Sequence, residues 1–139
     1  MNTFNLRNFK FETLFKKNCY LVDPKTTPFS NEEIKQIIQM AFIEKPNRIK
    51  RWAIKEIQGN KILSGRFIFQ SYHETFAFVS AIYLIADNQS YYPDITFGDG
   101  FVYISLFTIK IKGLHENDFI MMTKIENLMK DNPTPKSQG

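Results

Sequence analysis

Two stretches of the chain carry the cap and the apolar spacing of a helix. In the first, Ser30 can cap a helix and Glu33 follows three residues later, which together form a capping box. Apolar side chains then recur at the spacing that covers one helical face, at Ile34, Ile37, Ile38, Ala41 and Phe42. Pro46 cannot continue such a pattern. The sequence therefore predicts a helix between Ser30 and Pro46.

The second predicted helix has a wider apolar surface. Ser71 and Glu74 form its capping box, and the pattern runs to about Asn88. Its apolar residues lie on more than one face, at Phe76, Phe78, Val79, Ile82, Tyr83, Ile85 and Ala86. A helix that is apolar this far round is expected to be buried on two sides. One side would face a sheet, and the other a neighbouring helix or a second subunit.

Extended segments flank the second helix. Residues 52–57 and 61–69 are typical of two strands, and residues 58–60 between them carry a hairpin signal. Residues 101–111 place apolar side chains on both faces, which predicts a long strand with neither face assumed to meet water. Residues 89–100 are rich in Pro, Gly and Asp, which predicts a loop.

A last helix is predicted over residues 116–130, with Asp118 at the third helical position, where a carboxylate can bond back to the cap. Residues 1–29 lack clean periodicity and are expected to form an irregular N-terminal arm. Residues 132–139 are expected to be a loose polar tail, which leaves residues 30–131 as the domain. The order of elements predicts an α+β fold, with an antiparallel β-sheet and α-helices packed on one face.

Composition narrows the class of protein. A chain of 139 residues suits one domain, and its 15% aromatic content suggests that part of the aromatic area is covered by a partner or a second copy. The net charge of +4 is mild. Its basic residues bunch at Arg48, Lys50, Arg51 and Lys55, which we interpret as a solvated loop rather than a nucleic-acid site, because no nucleic-acid motif accompanies them.

Single residues and short runs argue against other classes. Cys19 is the one cysteine, so neither a disulfide framework nor a thiolate metal site can be built, and we expect no cofactor. The start of the chain has no apolar leader segment. The longest nearly apolar run, residues 76–86, is about half the length that a membrane span needs. We therefore expect a cytoplasmic protein.

Several motifs follow one another in a fixed frame across the second half of the chain. They are Ala86-Asp87, Tyr91-Tyr92-Pro93, Thr108-Ile109 and Gly113-Leu114-His115-Glu116-Asn117-Asp118. The set resembles the pterin-4a-carbinolamine dehydratase family, whose usual motifs in the same order are Ala-Glu, His-His-Pro, Thr-His and Gly-Leu-Thr-x-x-Asp. The resemblance covers about residues 30–130 and implies the same α+β fold, usually dimerised into a larger sheet.

The family's histidines are replaced in this chain. The resemblance places its catalytic positions at Tyr91, Tyr92, Ile109 and Asp118. Dehydration is served best by groups that titrate near neutral pH, whereas Ile109 carries no titratable proton and a free phenol has a pKa of about 10. Capping of the last helix already accounts for Asp118. We therefore expect no catalytic residue at these positions.

Two histidines remain elsewhere in the chain. His73 falls in the first turn of the second helix, and His115 stands at the cap of the last helix, where the family has Ser or Thr. We expect a solvated or capping role for each, rather than a relocated catalyst.

The tyrosine loop suggests a binding role instead. Tyrosine is favoured at interface cores, so we expect a partner-binding surface at Tyr91, Tyr92, Pro93, Asp94 and Phe97, with the basic region as a secondary candidate. The loop is similar to that of a non-catalytic branch of the family, the α-carboxysome Rubisco assembly factor. That resemblance implies a homodimeric chaperone that contacts the Rubisco large subunit, in the cytoplasm or with the carboxysome.

Two alternatives stay open. One is a true 4a-hydroxytetrahydrobiopterin dehydratase, a lyase of tetrahydrobiopterin recycling, with catalysis rearranged around Asp118, Tyr92 or His115. The other is a dimerisation cofactor of a transcription regulator, a role that the resemblance implies from the family in animals.

Overall fold

The computed structural model describes residues 9–44 and 49–130, and it includes the side chains of all of these except residues 41–44. The predicted tail over residues 132–139 and the basic residue Arg48 lie outside the described residues. So do the side chains of Ala41 and Phe42.

One predicted capping box forms in full and the other in part. The helices of the described residues are α1 (Phe11–Lys16), α2 (Asn31–Glu44), α3 (Tyr72–Gln89) and α4 (Glu116–Asn127). Before α2, the backbone N–H of Ser30 donates to Glu33 Oε1 at 2.8 Å, and the Glu33 N–H donates to Ser30 Oγ at 3.1 Å. Before α3, the Glu74 N–H donates to Ser71 Oγ at 3.1 Å, but Glu74 Oε1 accepts from the Gln70 N–H at 3.0 Å rather than from that of Ser71.

An antiparallel sheet of four strands confirms the α+β prediction. The strands are β1 (Trp52–Ile57), β2 (Asn60–Ile68), β3 (Asp94–Gly98) and β4 (Phe101–Leu106), in the order β1-β2-β4-β3. The predicted hairpin joins β1 and β2 through Gln58 and Gly59, whose φ angles of 52° and 82° match the handed twist of a two-residue hairpin turn.

The helices cover one face of the sheet. Alternate strand residues point into the core, where they meet apolar side chains of α3 and α4. The core residues of the strands are Trp52, Leu63, Phe67, Val102, Ile104 and Leu106. On the opposite face, Arg66 lies over the ring of its cross-strand partner Tyr103 at 5.4 Å, and Tyr103 is 40% exposed.

Two predicted boundaries near the tyrosine loop were wrong. The segment 89–100 is not all loop, because residues 94–98 pair with β4 as strand β3. The predicted strand over residues 101–111 ends at Leu106. The backbone N–H of Phe107 donates to a side chain, the Tyr91 hydroxyl at 3.0 Å, and a 3₁₀ turn follows at Ile109–Ile111.

The start of the chain is more ordered than predicted. Residues 11–16 form α1, which packs against α4, and Phe9, Phe11 and Leu14 are buried in the core. The helix forms because its apolar side chains are covered by α4, a contact that local periodicity does not reveal. The predicted last helix is also shorter, since α4 ends at Asn127.

Among the residues that the structure describes, α3 is covered on one side. Thr75, Phe78, Ile82 and Ala86 are buried, whereas Phe76, Tyr83 and Leu84 remain 54%, 60% and 67% exposed. The prediction of burial on a second side therefore depends on a partner. None of the helices in the described residues combines the length and apolar character required to cross a membrane.

Candidate functional site

A cleft of about 500 Å³ opens where the end of α3, the 3₁₀ turn and an N-terminal segment meet. We call the segment Lys17–Val22 the strap. Three of the four predicted family positions, Tyr91, Tyr92 and Ile109, line this cleft. The other lining residues are Asn18, Cys19, Tyr20, Leu21, Val22, Asn88, Gln89, Ser90, Phe107, Thr108, Lys110 and Asn117.

Asp118 lies behind the cleft wall and is fully buried. Its Oδ1 accepts a hydrogen bond from the Tyr91 hydroxyl. Its Oδ2 accepts from Thr108 Oγ1 and from the backbone N–H of His115, both at 2.8 Å. Burial raises the pKa of this carboxyl to about 6, although the three hydrogen bonds oppose the shift by stabilising the charged form. The group therefore titrates close to neutral pH.

Tyr91 connects the cleft to this carboxyl. Its backbone N–H bonds to Ala86 O at 3.0 Å, which continues the end of α3 and turns the side chain inward. Its hydroxyl donates to Asp118 and accepts from the Phe107 N–H. Burial and the neighbouring Asp118 charge raise the pKa of the Tyr91 phenol far above its ordinary value. At neutral pH Tyr91 is therefore a hydrogen-bond donor to a carboxylate.

The other two family positions face solvent. Tyr92 is 66% exposed, and its hydroxyl donates to Asp87 Oδ1 at 3.3 Å. This hydrogen bond raises the pKa of the Tyr92 phenol. Ile109, predicted to lie in a strand, lies in the 3₁₀ turn and is 78% exposed at the edge of the cleft.

His115 caps α4, as predicted. Its Nδ1 accepts from the Asn117 N–H at 3.1 Å, while Asp118 bonds back to the His115 N–H, which completes a capping box. Burial lowers the pKa of the imidazole, so the neutral form required for this acceptor role is favoured. His73, by contrast, is exposed in the first turn of α3.

The strap was missed by sequence reasoning, and it forms one wall of the cleft. Tyr20 packs its ring edge against the His115 ring, with 5.2 Å between centroids. The Tyr20 hydroxyl donates to Glu116 Oε1 at 2.9 Å, and Lys17 Nζ contacts Glu116 Oε2 at 2.6 Å. Nothing in the spacing of residues 17–22 indicates these contacts, because every partner is about 70 to 100 positions away in the chain.

The predicted partner-binding residues are not brought together on one surface. Tyr91 is directed inward and Tyr92 lies at the cleft mouth, whereas Asp94 and Phe97 belong to β3. Pro93 is half-buried between them. The Phe97 ring lies instead near two exposed rings of α3, those of Tyr72 and Phe76, with centroids 6.4 Å and 6.3 Å away. We call these three rings the aromatic cluster.

Arg51, one of the four residues of the predicted basic surface, is directed into the interior. Arg51 Nη1 lies 3.8 Å from the buried carboxylate of Glu126, and its guanidinium lies 5.4 Å from the centre of the Phe67 ring. Arg51 is therefore part of the packing beneath β1. Across the part of the chain that the structure describes, no three His, Cys, Asp or Glu side chains are grouped to hold a metal ion.

Fold and site together define a class of protein: an α+β domain with one face of its sheet covered by helices and a cleft beside the end of its long helix. The model of the family described as Pterin 4 alpha carbinolamine dehydratase matches residues 27–128. The chain belongs to this family.

Relatives and one solved structure agree with that assignment. Proteins from Legionella pneumophila (strain Lens) and Nitrosospira multiformis are 30% and 32% identical over 118 and 117 residues. These matches cover 85% and 84% of this chain, and 96% and 93% of the relatives, both of which carry the name "Putative pterin-4-alpha-carbinolamine dehydratase". The crystal structure of a transcriptional coactivator/pterin dehydratase from Brucella melitensis superimposes with a TM-score of 0.57 at 16% identity, over 73% of this chain and 98% of that one. This likeness shows the shared fold.

Proposed function

We propose that this chain catalyses the reaction for which its family is named, the dehydration of a pterin-4a-carbinolamine, with Tyr91 and Asp118 in place of imidazoles. The observation that supports this proposal is the hydrogen bond between the cleft-lining Tyr91 and Asp118, whose pKa is raised to about 6. General acid–base catalysis works best when the pKa of the group lies near the operating pH. Asp118, at a position that was expected to hold no catalytic residue, thus has a pKa in the range that acid–base catalysis near neutral pH requires.

The proposed chemistry uses Tyr91 as a relay. Dehydration removes a proton from a ring nitrogen and expels the neighbouring hydroxyl as water. A phenol oxygen has two lone pairs, of which one accepts the Phe107 N–H. The other accepts the substrate proton while the Tyr91 proton passes to Asp118. The leaving hydroxyl takes its proton from water in the open cleft, and Asp118 later returns its proton through Tyr91 to solvent.

The lining of the cleft suits a neutral heterocycle. Its polar side chains are mostly uncharged, and Lys110 is the charged residue among them. Aromatic rings and amide groups are the side chains that recognise a flat ring system bearing both donors and acceptors. A pterin is a flat ring system of this kind. A strongly anionic ligand would find one cationic side chain in the lining, that of Lys110, and is therefore a poorer match.

The test is a stopped-flow measurement of dehydration, using a 4a-hydroxytetrahydropterin generated in the same mixture. We expect the wild type to exceed the buffer rate, and Asp118→Asn to lose about 10²- to 10⁴-fold. Asp99→Asn is the matched control, since Asp99 is exposed between β3 and β4. If Asp118→Asn folds poorly, the dehydration rate of Tyr91→Phe, which keeps the ring and removes the hydroxyl, provides a second test. Wild-type turnover at the buffer rate, or full activity in Tyr91→Phe, would contradict the proposal.

A second candidate is the binding role, in which the chain is a homodimeric Rubisco assembly factor acting on the large subunit. The aromatic cluster favours it, because Tyr72 and Phe76 are 53% and 54% exposed and Phe97 is 36% exposed. Clustered exposed aromatics are typical of protein-binding surfaces. The resemblance of the tyrosine loop to the non-catalytic branch supports the choice of partner.

This candidate has its own assay. Tagged protein would be co-expressed with Rubisco large subunit, and the large subunit captured with the tag would be measured. We expect Tyr72→Ser with Phe97→Ser to abolish capture while the dehydration rate is unchanged. Tyr103→Ser, on the open face of the sheet, is the control. If the large subunit is captured equally by the double variant, the aromatic cluster is not the contact surface.

A further inference from the structure

The strap is held by two amide side chains from two different helices. In α4, Asn117 takes both backbone polar groups of Tyr20: its Nδ2 donates to Tyr20 O at 2.7 Å, and its Oδ1 accepts from the Tyr20 N–H at 3.2 Å. This pairing reproduces what a neighbouring β-strand would offer. It fixes the path of the strap, and not only the position of one side chain.

The second anchor is Gln89, the last residue of α3. Its Oε1 accepts from the Cys19 N–H at 2.7 Å, and its Nε2 donates to Asn18 Oδ1 at 3.0 Å. Consecutive residues of the strap are thus held from both sides, Asn18 and Cys19 by Gln89 and Tyr20 by Asn117. Removing either amide leaves backbone groups of the strap without these partners.

The strap lies outside the residues that the family model matches. The family model matches from residue 27 onwards, whereas the strap ends at Val22. Residues 18–22 all line the cleft that Tyr91 and Tyr92 line from the other elements. The cleft therefore combines a wall from the matched domain with a wall from the segment that precedes it.

We propose that the strap is the second wall of the pterin site, and that Gln89 and Asn117 are positioning residues that hold it against the bound ring. This inference rests on the proposed dehydratase function. The strap contributes uncharged polar and apolar contacts to a flat heteroaromatic ligand, and Tyr91 with Asp118 performs the proton transfer. Loss of the anchors should therefore weaken binding and leave the chemical step intact.

The experiment compares Gln89→Ala/Asn117→Ala with the wild type and with Gln39→Ala, a control on the exposed side of α2. Trypsin cleavage after Lys17, the first residue of the strap, and after Lys25, just beyond its end, is followed by mass spectrometry with and without 7,8-dihydrobiopterin. Calorimetry measures the Kd for the same compound, and steady-state kinetics give KM and kcat separately.

We expect faster cleavage of the double variant, protection of the wild type by dihydrobiopterin, and a Kd and KM raised about 10- to 100-fold with kcat within about twofold. A merely structural defect would lower kcat as well. If cleavage accelerates and the Kd is unchanged, the strap is not part of the ligand site, and the dehydratase proposal stands. If cleavage does not accelerate, the anchoring role is wrong. If the wild type neither binds dihydrobiopterin nor dehydrates a carbinolamine, the proposed function fails and takes this inference with it.

Discussion

The hydroxyl of Tyr91 donates a hydrogen bond to the buried carboxylate of Asp118, which stands 27 residues later in the chain. The bond joins the loop after α3 to the first turn of α4. Because the same hydroxyl accepts the Phe107 N–H, it also marks where β4 stops. One phenol thus links the end of the long helix, the end of a central strand and the start of the last helix.

Replacing Tyr91 with Phe should both destabilise the fold and shift the neighbouring acid. The variant removes the donor to Asp118 and the acceptor for the Phe107 N–H, so we expect the free energy of unfolding to fall by about 1–3 kcal/mol. The pKa of Asp118 should rise above about 6, because the Tyr91 hydrogen bond stabilises its charged form. Urea denaturation measures the first effect and NMR titration of the carboxyl carbon the second.

The control for this variant is Tyr103→Phe, at a tyrosine that is 40% exposed. It should change the free energy of unfolding by less than about 0.5 kcal/mol. Equal stability of Tyr91→Phe and the wild type would show that the two hydrogen bonds of the Tyr91 hydroxyl make no net contribution to the free energy of unfolding.

The buried carboxyl should make stability fall as pH rises. Asp118 has a pKa of about 6 in the folded chain against an ordinary value of 3.8, so the folded state binds its proton more tightly than the unfolded state. The stabilisation is complete below about pH 3.8 and is lost as the pH rises through about 6. At 1.36 kcal/mol per pKa unit, the loss is about 3 kcal/mol.

The measurement is the free energy of unfolding of the wild type minus that of Asp118→Asn, from pH 4 to pH 8. The subtraction removes the other titrating groups that the two proteins share. The difference should decrease across this range and level off above about pH 7. A difference that is flat with pH would mean that Asp118 has the same pKa in both states.

A methyl group at Gly65 should disturb the core under β1. A Cβ there would lie 2.7 Å from the ring of Trp52, its cross-strand partner. The ring has little freedom to move, because its Nε1 donates to the buried Glu126 at 2.7 Å and it packs edge-on to Phe67. We expect Gly65→Ala to lower the free energy of unfolding by about 1–3 kcal/mol in urea denaturation.

The matched control is Ser64→Ala, at the adjacent position of β2 that faces away from the core. It should stay within about 0.5 kcal/mol of the wild type. Similar losses in both variants would point to a general effect on β2 and not to the Trp52 contact.

The exposed apolar side of α3 bears on the proposed homodimer. Tyr83 and Leu84 are each more than half exposed in the single chain and lie outside the aromatic cluster. If a second copy covers them, Leu84→Ser should shift the sedimentation coefficient from dimer towards monomer, because it puts a polar group into an apolar contact. Leu21→Ser, at a leucine that is 85% exposed in the strap, should not. A wild type that sediments as a monomer at its highest soluble concentration would contradict the proposal.

The features that sequence reasoning predicted correctly are local. They are the capping box of Ser30 and Glu33, the Ser71 cap of α3, the hairpin turn at Gln58 and Gly59, and the cap formed by His115 and Asp118. Each depends on residues no more than a few positions apart. The family frame across residues 27–128 follows from the same kind of information, since its motifs lie within helix ends and turns.

The candidate site was predicted only in part. The positions of Tyr91, Tyr92 and Ile109 do line one cleft, and Asp118 lies directly behind it. The acid–base potential of Asp118 was missed, because its raised pKa comes from burial, which the sequence does not display.

Taken alone, the sequence determined the α+β class, the helix starts and the alternation that puts Val102, Ile104 and Leu106 on one face of a strand, because each depends on neighbouring residues and on backbone period. That this face is the buried one was decided by the tertiary structure. Only the tertiary structure decided that β3 pairs with β4, that β4 stops at Leu106 and that the strap closes one wall of the cleft. These features depend on partners far away in the chain, such as Tyr91 for Phe107 and Asn117 for Tyr20. Such contacts form only when the whole domain has brought those partners together.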